Sequence, residues 1–164
     1  MTKYDYIIGV DPDCIRSGIA TLMPKSRKYC SVRSLEFPVL LDYLRQAKSI
    51  CDDDGSEMIV VVEAGWMVKK SNFHEAQGRR AEKIAKDVGA NHETGRKILE
   101  MCGHYGINAT TQMPLDKCWK GKDRKITAEE LEALTGWDKR TNQDERDAAL
   151  LAWYYSGLPM RMNV

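Results

Sequence analysis

The run Tyr6-Ile7-Ile8-Gly9-Val10-Asp11-Pro12 decides how the rest of the chain is read. Residues 6–10 have the character of a short buried strand. Asp11-Pro12 stops it, because proline lacks an N–H and restricts the residue before it. An acid is therefore left where the strand emerges. Working outward, Gly18 to Met23 is a second strand-like run, followed by a Pro24-Lys25-Ser26 turn. Tyr29 to Leu35 then pairs back onto it, which predicts a three-stranded antiparallel meander. Pro38 stands where a first helical turn begins, and Val39, Leu40, Tyr43, Leu44, Ala47 and Ile50 recur at helical spacing. That helix is expected to end before Asp52-Asp53-Asp54-Gly55. The next run, Met58-Ile59-Val60-Val61-Val62, reads as a central strand buried on both faces, and it ends at Glu63.

Beyond a polar loop, Ala81, Ile84, Ala85, Val88, Gly95, Ile98, Leu99 and Cys102 trace an apolar stripe through a long helix, with Gly89 as a point of bending. Ile107 to Thr111 is a fifth strand. Thr127 to Leu134 forms a short helix, and a last helix runs from about Asn142 to Tyr155. The order βββαβαβ followed by helices, without repeats or linkers, predicts one α/β domain over residues 1–164.

Hydrophobic residues make up 43% and charged residues 30%, the balance of a globular chain rather than a disordered one. No apolar run approaches the roughly 20 residues of a membrane-spanning helix, and the N-terminus shows no signal-peptide pattern, so a cytoplasmic protein is expected. The five cysteines, Cys14, Cys30, Cys51, Cys102 and Cys118, form no C-x-x-C pair. Most are expected to be small buried groups. The net charge of +1 is uninformative, but its distribution is not. Lys69, Lys70, Arg79 and Arg80 cluster in one stretch, and Lys117, Lys120, Lys122, Arg124 and Lys125 in another. Each cluster alone reads as solvated surface; two of them beside candidate acids point to phosphate.

Those acids are Asp11 after the first strand, Glu63 after the fourth, and Asp144 and Asp147 three apart on one face of the last helix. Sites in α/β sheets are built at strand ends. If the first and fourth strands are neighbours, Asp11 and Glu63 sit side by side and the helical pair closes over them. Four such carboxylates repel unless cations lie between them, and an all-oxygen set suits Mg²⁺ or Mn²⁺. Two ions about 4 Å apart serve phosphodiester hydrolysis. Taken singly, each acid has a plainer explanation: a turn former at Asp11, a strand end at Glu63, a favourable helix dipole at Asp144. Asp147 is different, because it leads into Ala148-Ala149-Leu150-Leu151-Ala152-Trp153 and must find a partner at the edge of a core.

With these residues in place, the chain resembles the RuvC-type Holliday junction resolvases of the RNase H-like superfamily. The matching pieces are I-I-G-V-D-P followed by S-G-I-A, then V-V-V-E, and then D-E-R-D-A-A-L-L-A. The resemblance implies an RNase H-like fold: a five-stranded mixed sheet, three antiparallel N-terminal strands and two further parallel ones, flanked by helices. It implies that Asp11, Glu63, Asp144 and Asp147 are catalytic and bind Mg²⁺, with Mn²⁺ able to substitute. It also implies a homodimer that nicks a four-way DNA junction symmetrically. Trp66 stands where the family places an aromatic that wedges into the junction. Pro114 to Lys120 resembles a proline-tryptophan-lysine element of phage-type members, with Lys120 and Lys125 as candidates to approach the scissile phosphate. Lys69, Lys70, Arg79, Arg80, Lys117 and Lys122 complete the expected DNA contacts. Where the family has glycine after Asp-Pro, this chain has Asp13, which is expected to tolerate a left-handed backbone and to add negative charge near the metals.

Two rivals share the pattern. One is a nuclease of the same fold acting on other branched DNA, RNA or RNA–DNA hybrid. The other is a catalytically inactive protein that binds branched DNA. A kinase-like ATPase is disfavoured, because no Gly-rich phosphate loop is present.

Overall fold

The computed structural model describes residues 2–68 and 78–161. Five strands form a single sheet in the order β3-β2-β1-β4-β5. They are β1 (Tyr6–Asp11), β2 (Ser17–Met23), β3 (Lys28–Leu35), β4 (Met58–Glu63) and β5 (Ala109–Gln112). The first three are antiparallel, whereas β4 runs parallel to β1 and β5 parallel to β4. The helices are α1 (Phe37–Asp54), α2 (Arg79–His104), α3 (Ala128–Thr135) and α4 (Gln143–Tyr155). No helix among the described residues is long and apolar enough to cross a membrane.

Alternation along the strands divides the core into two layers. Ile7, Ile59 and Val61 pack with Ala148, Ala149 and Ala152 of α4, while Ile8, Val10, Val60 and Val62 pack with Leu40 and Leu44 of α1 and Ile98 of α2. The same parity directs Asp11 and Glu63 to the α4 side.

α4 comes unusually close to the sheet because glycines face it. A Cβ at Gly18 would collide with the Asp144 carbonyl, and one at Gly9 with the Ala148 carbonyl. The alanines of α4 are fully buried against this floor. The helix starts from a capping box in which Asn142 and Glu145 satisfy each other's backbone amides. Arg146 then ties it down, donating to the carbonyls of Ile126 (3.0 Å) and Thr141 (2.8 Å).

Several local expectations need correction. α1 continues through Asp52-Asp53-Asp54 and stops at Gly55, whose φ of 74° forms a left-handed cap. Val39 and Ile50 on that helix are exposed. The stripe on α2 is buried only at Gly95, Ile98 and Cys102; Ile84 and Ala85 face solvent, because no described element packs against that half. Only Cys51 and Cys102 are buried, whereas Cys14, Cys30 and Cys118 are exposed free thiols.

Gly18→Ala forces α4 away from β2, and overpacking of this kind costs about 1–3 kcal/mol. Urea unfolding is expected to show that loss for Gly18→Ala and Gly9→Ala. Gly103→Ala, where an added Cβ meets nothing within 4 Å, is expected to be no less stable than the wild type.

Candidate active site

The parallel register Val10↔Val62 sets the next residues, Asp11 and Glu63, beside each other at the end of the sheet. α4 brings Asp144 and Asp147 over them. Asp11 shares a hydrogen bond with Glu63 and another with Asp144. Burial, followed by the charges of Glu63, Asp147 and Asp144, raises the Asp11 carboxyl well above the usual carboxylate range. Asp144 is raised too, first by burial and then by Asp13 and Asp147, with Lys125 and the bond from Asp11 opposing.

Asp147 has the partners that its place at the core edge demands. Lys125 Nζ donates to its Oδ2 at 3.2 Å and Gln143 Nε2 to its Oδ1 at 2.8 Å. Burial depresses the Lys125 ammonium, but Asp147, Asp11 and Glu63 more than offset this and hold it above its ordinary value.

The four acids bear directly on whether a divalent cation fits here. Two carboxylates in hydrogen-bonding contact need a proton or a cation between them, and Asp11 makes two such contacts, to Glu63 and Asp144. The donors are all oxygen, which suits a hard ion. Yet among the described residues no three His, Cys, Asp or Glu side chains stand together as a closed cation site. Both oxygens of Asp147 are engaged, by Lys125 and Gln143. The chemistry of the donors fits a hard cation.

Two clefts border the acids and share Glu63. One, of about 170 Å³, joins Asp11 and Glu63 to Trp66, Asn91 and His92. Trp66 is half-buried in its wall. A Cβ at Gly95 would lie 2.5 Å from its ring, His92 meets it edge-on at 6.2 Å, and the Arg96 guanidinium sits over it at 5.4 Å. The other cleft, of about 210 Å³, joins Glu63 and Asp147 to Lys117, Trp119, Arg124 and Lys125. Of the predicted basic residues, Lys117 and Lys125 therefore reach the acids. Lys120 lines a neighbouring cleft with Cys118 and Tyr154, and Lys122, Arg79 and Arg80 are exposed away from both clefts beside the acids. Lys69 and Lys70 lie outside the described residues.

Asp13 departs from its expected conformation. It is absent from the residues with left-handed backbone, and its Oδ1 instead accepts from the amides of Ile15 (2.8 Å) and Arg16 (3.3 Å). Its charge does bear on the site, through Asp144. Arg124, named in the second basic cluster, lines the cleft as well, whereas sequence reasoning missed His92 and Asn91. A glycine at Gly65, where a Cβ would come 2.8 Å from His92 Nε2, is the one trace His92 leaves.

A mixed sheet in this order, flanked by helices, is the RNase H-like fold. Among solved structures, the chain is similar to RuvC from T. thermophilus in complex with a Holliday junction substrate. The TM-score is 0.54 over 91% of this chain and 90% of that one, at 14% sequence identity. The resemblance to RuvC read from the sequence holds at the level of the fold. No protein-family model matches the chain, and no curated protein matches it in sequence.

A carboxyl raised above its unfolded value adds stability below that value and loses it as pH rises through the folded one. Metal-free protein is therefore expected to lose stability above about pH 4, the unfolded carboxylate value, as Asp11 and Asp144 are forced to ionise. In thermal melts, Asp11→Asn should match the wild type near pH 4 and exceed it by a growing margin towards pH 8. Millimolar Mn²⁺ should close that margin by stabilising the wild type. Parallel pH profiles would contradict the geometry described.

Proposed function

We propose that this protein is a divalent-metal-dependent endonuclease that resolves four-way DNA junctions by paired symmetric nicks. The meeting of Asp11 with Glu63 and Asp144, at the end of a sheet with the fold of a junction-bound RuvC, carries the reading. Asp11, Glu63, Asp144 and Asp147 would hold Mg²⁺, or Mn²⁺ in its place. When bound, the metal supplies activation of water and charge neutralisation at the leaving oxygen. Water adds to phosphorus as the opposite P–O bond breaks.

The remaining residues position the phosphodiester. Lys125, on the cleft wall beside Asp147, offsets charge on a non-bridging phosphate oxygen, and Lys117 extends this along the cleft. Lys69, Lys70, Arg79, Arg80, Lys120 and Lys122 bind more distant phosphates, so affinity falls with salt. Trp66 stacks on an exposed base near the crossover. The half of α2 with Ile84, exposed among the described residues, offers a surface for the second copy that paired nicking requires. A cytoplasmic location fits a DNA substrate.

One observation favours a second reading, a protein that binds branched DNA without cutting it. Lys125 and Gln143 occupy both oxygens of Asp147. A cleavage assay on a synthetic four-way junction, in Mg²⁺, Mn²⁺ and chelator, separates the two. Linear duplex and RNA–DNA hybrid serve as controls. Paired nicks are expected in the junction alone, lost with chelator and reduced at least about 100-fold by Glu63→Gln. Cleavage of the hybrid or duplex instead would keep the acids and change the substrate. Tight junction binding without any cleavage would establish the second reading.

A further inference from the structure

The irregular segment between β5 and α3 is held more firmly than a connection requires. Asp123 and Arg124 are consecutive non-glycine residues with left-handed backbone, φ 55° and 61°, a conformation that costs roughly 1–2 kcal/mol per residue. The turn is closed by Trp119 N donating to the Arg124 carbonyl (3.0 Å) and Gly121 N to the Lys125 carbonyl (2.9 Å). A Cβ at Gly121 would collide with that same carbonyl. Beneath the turn, the buried Glu130 carboxylate accepts from the amides of Lys120 (3.0 Å) and Thr127 (3.2 Å). Strain of this kind persists only where surrounding structure enforces it. Its effect is to fix Trp119, Arg124 and Lys125 around one cleft.

That cleft combines two chemistries. Its walls are apolar, from Trp119, Leu115, Ile126 and Leu150, while Lys117, Arg124 and Lys125 bring positive charge. Glu63, Asp116 and Asp147 also line it, so a cation beside the acids is needed before the cleft favours an anion. A site for phosphate alone has no use for the apolar wall, and an apolar ligand has none for the cations. A nucleotide presents both, and about 210 Å³ is of the size of a single base rather than a pair. The acids thus border two tryptophan-lined clefts that share Glu63.

We propose that the Trp119 cleft is a nucleobase subsite that takes one unpaired base beside the scissile phosphate, stacked on the indole, while Arg124 and Lys125 meet that phosphate. The proposal rests on the reading of the acids as a nucleic-acid-cleaving site. It adds a base contact in a cleft separate from that of Trp66. Extruding a base costs least where pairing is already broken, as at the centre of a branch.

Photo-cross-linking from 5-iodouracil, moved nucleotide by nucleotide through the centre of a four-way junction with Ca²⁺ in place of Mg²⁺, tests the contact without needing cleavage. The same scan on single-stranded and hybrid substrates keeps the test valid if the junction is not the substrate. Cross-linking to Trp119 from one or two adjacent positions is expected. Trp119→Ala should abolish it and lower cleavage at subsaturating junction about 10- to 100-fold; Trp119→Phe should retain most of the rate. An abasic nucleotide at the cross-linking position should make wild type and Trp119→Ala equal. Binding of any of these substrates with no cross-link to Trp119 overturns the subsite. So does an equal loss from Trp119→Ala on intact and abasic substrates. Cross-linking to Trp119 without metal-dependent cleavage would instead keep the subsite and remove the nuclease reading.

Discussion

The site depends on a single pairing, the parallel alignment of β1 with β4 at Val10↔Val62. Side chains alternate along a strand, so a slip of one residue would send either Asp11 or Glu63 to the opposite face. With the register held by fully buried Ile7, Ile8, Val10, Val60, Val61 and Val62, both acids emerge on the α4 side at one height. Their mutual repulsion is thus imposed by the hydrophobic core, which is far stronger in sum than the electrostatic cost at one end. An acid pair of this kind is a binding site for positive charge whether proton, ammonium or metal fills it.

α4 completes the arrangement through what is missing opposite it. Gly9 and Gly18 offer no Cβ, and Ala148, Ala149 and Ala152 answer with the smallest side chains that still favour a helix. The close approach carries Asp144 to Asp11. It also leaves Asp147 within reach of Lys125, whose ammonium compensates charge that would otherwise be buried unpaired. Lys125 therefore balances Asp147 in the protein alone, and in the proposed reaction the same ammonium would offset phosphate.

Much of this was legible in the sequence because the acids fall at the ends of strongly patterned elements. The β-branched run before Glu63 and the Asp-Pro stop after Val10 name the strand ends directly, and the three-residue spacing of Asp144 and Asp147 names the helical face. Other features leave weaker marks. The apolar spacing of α2 states a face but not its partner, so exposure of Ile84 could not be read from it. Cys30 looks like a core residue by type, but strand parity turns it outward beside buried Tyr29. The Asp123-Arg124 turn carries no glycine to announce its left-handed backbone. The packing of Trp66 on Gly95 joins residues far apart in the chain and becomes visible only in three dimensions.

The central proposal is that Asp11, Glu63, Asp144 and Asp147 together hold a divalent cation, with Asp147 exchanging Lys125 for the ion. Anomalous scattering from crystals soaked in millimolar Mn²⁺ tests it most directly. The account predicts at least one manganese peak among Asp11, Glu63 and Asp144, with Asp147 turned from Lys125 towards it. An absence of manganese there, with the Lys125–Asp147 contact intact, would contradict it.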